Sequence, residues 1–309
     1  MRRFDLHAKQ QGIAVVSAML IAALVASIAS YLLFKHQMLI NQIENHFAAS
    51  QSRWISHAGM EWSRAILAED AKLGPTDSLS DPWARKLPPI PFESATISGF
   101  ILDEQAFFNL NNLSLAKPGK DSESQALKHF MTEATGNPGT VDALVDWIDK
   151  DDDVTLPNGA EDNAYIAQAS SYKTANQLLT ELGNLSRVMG FTNEMIIKTG
   201  QHCVVLPEVT PININTASAE VLRLAFPELS ELEVESVISL RNSQPFESTA
   251  EVMKVLGDKS KIAEGQISVG SHYFLVNTQV HYGKTVVNAS ALLKRDGPGW
   301  PKVLWKKYT

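Results

Sequence analysis

The chain has 309 residues, a formal net charge of −7 and a single cysteine, Cys203. The negative balance argues against a general nucleic-acid binder, whose affinity comes largely from neutralising phosphates. A lone cysteine excludes an intrachain disulfide, and Cys203 reads as a small buried hydrophobe.

From Ile13 to Phe34 the sequence carries 22 residues without a charge. At about 1.5 Å rise per residue such a run crosses a hydrocarbon core of about 30 Å. A secretory signal has a shorter apolar region and a small-x-small cleavage site after it, so the run reads as an anchor. Arg2, Arg3 and Lys9 precede it and are expected to stay cytoplasmic, which places everything after Lys35 across the inner membrane. The helix is expected to continue, since no proline occurs before Pro75. Leu39, Ile43, Phe47, Trp54, Ala58, Trp62 and Ile66 recur at intervals that put one apolar stripe on a polar helix. The stripe lacks sustained heptads, so it is expected to dock on the chain's own domain rather than form a coiled coil.

Prolines at 75, 82, 88, 89 and 91 exclude regular helix or a central strand and suggest a connecting loop. The stretch ATISGFILDEQAFFNLNNL then alternates like a β-hairpin broken at Asp103 and Glu104. Residues from about Ser122 to Gly265 read as mostly helical. The tail returns to strands, with a turn at Tyr282-Gly283-Lys284. Strand, helical block and strand suggest an insertion into a sheet.

Within DWIDKDDDVTLPNGAED, Asp149, Asp151 and Asp153 alternate and can aim carboxylates at one point, and Asn158-Gly159 offers a turn that returns Glu161 toward them. Asp146 fits equally well on the preceding helix. The residues leave open a calcium loop and a solvated acidic loop. An EF-hand is rejected: with Asp149 as position 1, position 6 is Val154 and position 12 is Ala160. A paired-carboxylate hydrolase would need a substrate cleft that nothing in the sequence locates. With no G-x-S-x-G, H-E-x-x-H or phosphate-cradling glycine loop, no enzyme is expected.

The stretch from Ile212 to Gly257 resembles a helix-hairpin-helix unit, a fold that elsewhere grips DNA backbone through a glycine-rich turn. Here the turn reads Phe226-Pro227-Glu228-Leu229-Ser230-Glu231, without glycine and with two carboxylates, so phosphate is repelled. A membrane-anchored DNA-uptake protein is therefore the weaker alternative to a scaffold. Asn213, Asn215 and Thr216 read as a helix cap with local turn bonds, and Arg241 and Phe246 as packing or surface residues.

A short basic leader, Gly12 and an apolar helix resemble the type IV prepilin signal, cut directly after glycine. Pilins carry Glu at the fifth mature position; here it is Ser17, a departure shared by the type II secretion minor pseudopilin K family. DEQAFFNLNNL, LVDWIDKDDDVTLPNGAEDNAYIAQASSYKTAN and PININTASAEVLRLAF resemble segments of that family in the same order. The resemblance implies an α+β, type IV pilin-like fold: a long N-terminal helix, transmembrane in its first half, a small antiparallel sheet and a large, mostly helical insertion with a helix-hairpin-helix or SAM-like part. It also implies cleavage by a prepilin peptidase between Gly12 and Ile13, methylation of the new terminus, and a place at the pseudopilus tip. Partnership with minor pseudopilins I, J and H follows, with no nucleic acid bound. Calcium is implied in the insertion, with Asp149, Asp151, Asp153, Glu161 and Asp162 as ligand candidates. The expected layout is a leader over 1–12, a membrane half-helix over 13–34 and a periplasmic half-helix over 35–72. Loop and first strands follow over 73–110, the helical insertion with its acidic loop over 111–210, the hairpin-like part over 211–268 and the last strands over 269–309.

Overall fold

A computed structural model describes residues 7–115, 122–135, 137–168, 170–257, 262 and 265–309. Arg2 and Arg3 lie outside the described residues. Helix α1 runs unbroken over His7–Asp70, and from Ile13 onward it contains a window of mean hydropathy 2.4, long and apolar enough to cross a membrane. The Leu73 amide closes on the Asp70 carbonyl at 2.8 Å just before Pro75 ends helical continuation.

The chain then enters a five-stranded antiparallel sheet. Strands β1 (Leu87–Phe92) and β2 (Ala95–Asp103) form a hairpin, which corrects two expectations. The proline-rich segment is not wholly loop: Pro88, Pro89 and Pro91 lie in an edge strand, where missing N–H groups cost little. The hairpin expected inside ATISGFILDEQAFFNLNNL does not form, because Asp103-Glu104 is where the chain leaves the sheet.

Beyond that point come β3 (Phe108–Asn109), α2 (Ser122–Thr135), α3 (Thr140–Ile148), α4 (Asp162–Ile166), α5 (Asn193–Thr199) and β4 (Cys203–Val204). A second group follows: β5 (Ile212–Asn213), α6 (Ala219–Ala225), α7 (Glu231–Ser243), α8 (Thr249–Leu256) and β6 (Ile267–Ser268). Each group is closed by a short parallel pairing, β3 with β4 and β5 with β6. The chain rejoins the sheet as β7 (Tyr273–Tyr282), turns at Gly283 with φ of 57°, and completes β8 (Thr285–Lys294) and β9 (Lys302–Tyr308). Sheet order is β1-β2-β7-β8-β9, so residues 104–272 are inserted between neighbouring strands.

The second half of α1 packs on one sheet face, but largely not through the expected stripe, of which Ile66 packs against the core. Trp54, Trp62, Phe47, Ile43 and Leu39 stay exposed, Trp54 at 69%. The buried face is Ser52, Ile55, Ser56, Gly59, Met60 and Leu67. Small residues let the helix axis approach the sheet. A Cβ at Gly59 would lie 2.8 Å from Ile97 Cδ1 and 3.2 Å from Thr278 Cγ2. Met60 and Leu67 share a core with Trp83, Phe274, Val276 and Leu293, while the insertion has a separate, larger core around Leu113, Leu144, Tyr165 and Val221.

Candidate metal centre and the joint that carries it

Helix α3 is buried along its length and ends where the acidic loop begins, the Asp149 amide still reaching the Val145 carbonyl at 2.9 Å. Asp146 is fully buried and accepts from the Thr155 amide at 3.0 Å, so its role is to fold the loop back on the helix. Gly159 lies against that carboxylate. A Cβ there would overlap Asp146 Oδ2 and the Thr155 carbonyl, which accounts for the glycine.

This fold-back brings Asp149 and Glu161 into one another's field. Burial first, then Asp151, Asp146, Glu161 and Asp153, raises Asp149 to about 7. Burial and then Asp146 raise Glu161 to about 7. Thr174 Oγ1 donates to Glu161 Oε2 at 3.2 Å, whereas Glu161 Oε1, Asp149 Oδ1 and Asn176 Oδ1 are buried without a hydrogen-bond partner. Buried oxygens are ordinarily satisfied, and the Asp149 and Glu161 carboxylates lie in a field of like charge. An all-oxygen set of this kind fits a hard cation such as calcium.

Asn176 escaped sequence reasoning because it lies outside the acidic run. Its amide Nδ2 donates to Asp152 Oδ1 at 3.2 Å, and its backbone has φ of 45°, a conformation asparagine tolerates. Asp151 Oδ1 accepts from the Asp153 amide at 3.1 Å, and both side chains are exposed. Asp162 is committed elsewhere: Lys173 Nζ at 2.5 Å and Thr174 Oγ1 at 2.8 Å bind it, and the Lys173 bond leads in holding its pKa below the ordinary carboxylate value. Among the described residues, the acidic trio whose oxygens lie within 4.8 Å of one another is Asp70, Asp77 and Asp81. The loop oxygens do not close to that spacing. In that trio the cation is supplied by Arg295, at 3.1 Å from Asp70 and 2.6 Å from Asp77.

The insertion is bolted to the sheet by polar side chains that the sequence did not reveal. Asp103, at the end of β2, accepts at Oδ2 from Thr216 Oγ1 (2.6 Å), Ser271 Oγ (2.7 Å) and Asn213 Nδ2 (3.0 Å), and at Oδ1 from the Gln105 amide (2.8 Å). Asn213, Asn215 and Thr216 are therefore not a helix cap. Ser218 caps α6, accepting from the Val221 amide at 3.2 Å. Asn215 instead bridges Phe246, donating to its carbonyl and accepting from its amide. Phe246 and Arg241 are both buried, Arg241 donating to the Ile214 carbonyl. Asn109, Asn111 and Asn112 instead tie the first half of the insertion to itself: Asn111 holds the Leu179 amide at 2.9 Å and Asn112 the Thr210 amide at 3.0 Å. The one available signal was asparagine repeated between apolar residues in FNLNNL and ININTA.

The division of the insertion into two groups matches known proteins. Two family models, both described as type II secretion system protein K, match residues 106–208 and 212–270. Type II secretion system protein K of Pseudomonas aeruginosa is 28% identical over 307 residues, covering 96% of this chain and 92% of the relative. The Pectobacterium carotovorum protein of the same name is 28% identical over 316 residues, covering 94% of each. The fold matches a chain in the crystal structure of the GspK-GspI-GspJ complex of enterotoxigenic Escherichia coli, with a TM-score of 0.74 at 23% identity, over 87% of this chain and 99% of that one. The matched segments carry the asparagine pegs and the acidic loop and together exceed half the chain, so it belongs to the type II secretion system protein K family.

Proposed function

We propose that this protein is a minor pseudopilin that sits at the tip of a type II secretion pseudopilus and supports export of folded proteins across the outer membrane. Residues 13–34 anchor it in the inner membrane after a prepilin peptidase cuts behind Gly12, and the remainder lies in the periplasm. Its partners are minor pseudopilins I and J, the proteins that share the solved complex with the related K chain, together with H. The observation that carries the tip placement is the insertion of residues 104–272 between β2 and β7. That bulk is joined rigidly to the pilin-like sheet and would crowd regular stacking along a shaft. Ser17 adds to this, since its hydroxyl turns back to the Ala14 carbonyl at 3.0 Å and offers no carboxylate to a neighbouring terminal amine.

Calcium is the cation assigned to the insertion, held by Asp149, Asp151, Asp153 and Glu161 with Asn176 joining them. It would supply the charge that these oxygens lack and tie the end of α3 to the start of α4 and the 174–176 segment. This reading assigns no reaction to the chain. Nor is a DNA-binding role adopted, because the amides at the start of α7 are engaged by Ser230 and by Glu233 in a capping box. The test is assembly: deletion should abolish secretion, the full chain should co-purify with I and J, and labelled protein should mark filament ends. Label at regular intervals along sheared filaments would overturn the tip placement.

A further inference from the structure

On the sheet face turned away from α1, a cleft of about 500 Å³ opens between β7, β8, β9 and the insertion. Strand alternation makes this face: Phe274 and Leu293 point into the α1 core, whereas Leu275 and Leu292 point the other way. With Val204 and the Trp305 indole they form apolar walls. Glu104 also lines the cleft. It sits in the short 3₁₀ turn that Asp103 initiates by capping the Gln105 amide, and is only 7% exposed. Its carboxylate has no hydrogen bond or ion pair among the described residues. Burial, and then Asp103 beside it, raise its pKa to about 7. Glu181 and Lys307 line the same cleft and are exposed at its mouth. The Glu181 carboxylate is partly spent on capping the Leu182–Arg187 turn, and Lys307 forms no ion pair among the described residues.

An unpartnered acid in apolar walls is costly, and an apolar residue in its place would cost less. We propose that the cleft binds a basic side chain, arginine or lysine, presented by a partner polypeptide. The aliphatic stem lies on Leu275, Leu292 and the Trp305 ring, and the cationic head pairs with Glu104. A divalent metal is disfavoured, because one buried carboxylate among hydrocarbon offers too few oxygens. An arginine gains a second contact by stacking on Trp305.

The experiment uses the full chain in detergent micelles and two blocked tripeptides, Ac-Ala-Arg-Ala-NH2 and its uncharged citrulline isostere, titrated by calorimetry. The arginine peptide should bind at least tenfold more tightly, and Glu104→Gln should erase that preference while keeping the melting temperature at or above the parent value. Affinity should rise between pH 6 and pH 8 as Glu104 ionises, with Asp103, Glu181 and Lys307 the other charged groups facing it and Cys203 a thiol whose pKa burial pushes up. Trp305→Ala should weaken the arginine peptide without abolishing its preference. Equal affinity for the two peptides, or a preference that survives Glu104→Gln, overturns the proposal. Binding seen only after Lys307→Ala also overturns it, by assigning the cleft to the chain's own lysine. If Glu104→Gln does not fold, the carboxyl carbon shift of labelled Glu104 in the parent chain decides: the arginine peptide must lower its titration midpoint.

Discussion

Thr216 Oγ1 donates to Asp103 Oδ2 at 2.6 Å, joining the last residue of β2 to the start of the second half of the insertion. Two more donors, Ser271 Oγ and Asn213 Nδ2, converge on that same oxygen. One carboxylate thus ties the points where the chain leaves and re-enters the sheet. Asp103→Ala removes the acceptor of four buried donors, the Gln105 amide among them, and a donor left unsatisfied costs about 1–3 kcal/mol. The expected loss is about 3 kcal/mol or more, read as a lower denaturant midpoint. Asp103→Asn keeps one acceptor oxygen and should lose less. Equal stability of the alanine variant and the parent would remove the joint from this account.

The contact of α1 with the sheet makes a second, opposed pair of expectations. Gly59→Leu forces a side chain against Ile97 and Thr278 and should destabilise by about 1–3 kcal/mol, the usual cost of overpacking. Trp54→Ser, on the exposed side of the same helix, should stay within about 0.5 kcal/mol of the parent. Thermal melts of the two variants side by side check this. The reverse order would restore the aromatic stripe as the docking face.

That contrast shows what the sequence could reveal. The long apolar helix and the β7-β8 turn at Gly283 were legible because hydropathy and glycine act locally. The docking face of α1 was not, because a helix that must come close to a sheet buries Ser52, Ser56 and Gly59, residues without a hydropathy signal, while Trp54 and Trp62 carry the periodicity outward. Proline content hid β1, since an edge strand tolerates what a central one does not. In the candidate metal centre the alternating aspartates were legible as charge. Asn176 was not, because it reaches the site through the fold, and neither was the withdrawal of Asp162, which depends on Lys173 lying beside it.

Helix α1 runs continuously through Gly12, so the proposed cleavage site lies within a helix that a peptidase would have to open. Glycine lowers that cost by destabilising the helix interior by about 1 kcal/mol relative to alanine. N-terminal sequencing of membrane-extracted protein should read Ile-Ala-Val-Val. A bulky replacement at Gly12 should block maturation and leave insertion intact, since the apolar run is unchanged. An intact leader in cells with active prepilin peptidase would refute this.

Calcium bound only by the folded chain adds about 2.7 kcal/mol at a hundredfold excess over Kd. Chelation should therefore lower the melting temperature by several degrees. Glu161→Gln and Asn176→Ala should each shrink that difference. Asp162→Asn should preserve it, because Asp162 serves Lys173 and Thr174. A chelator effect abolished by Asp162→Asn and untouched by Asn176→Ala would reverse the ligand set.

The buried carboxyls of the joint, the cleft and the loop give stability a pH dependence, and at the loop calcium should oppose it. Asp103 is raised from 3.8 to about 6, Asp149 from 3.8 to about 7, and Glu104 and Glu161 from 4.5 to about 7, in each case chiefly by burial. A carboxyl whose folded pKa lies above its unfolded one favours the folded state while protonated. That contribution is complete below the unfolded value and is lost as pH rises through the folded value. In chelator, stability should therefore fall between about pH 4 and pH 7, the Asp103 share being lost by about 6 and the others by about 7. Calcium needs its ligands deprotonated, so its stabilisation should grow over the same interval. Melting temperatures measured with calcium and with chelator should diverge as pH rises from 6 to 8. Asp149→Asn should flatten the chelator curve near pH 7 and narrow the gap together, because one group is responsible for both. Asp103→Asn should flatten only the part near pH 6 and leave the calcium gap alone, since that carboxylate belongs to the joint. Parallel curves across the whole interval would mean that the buried loop oxygens do not face a cation.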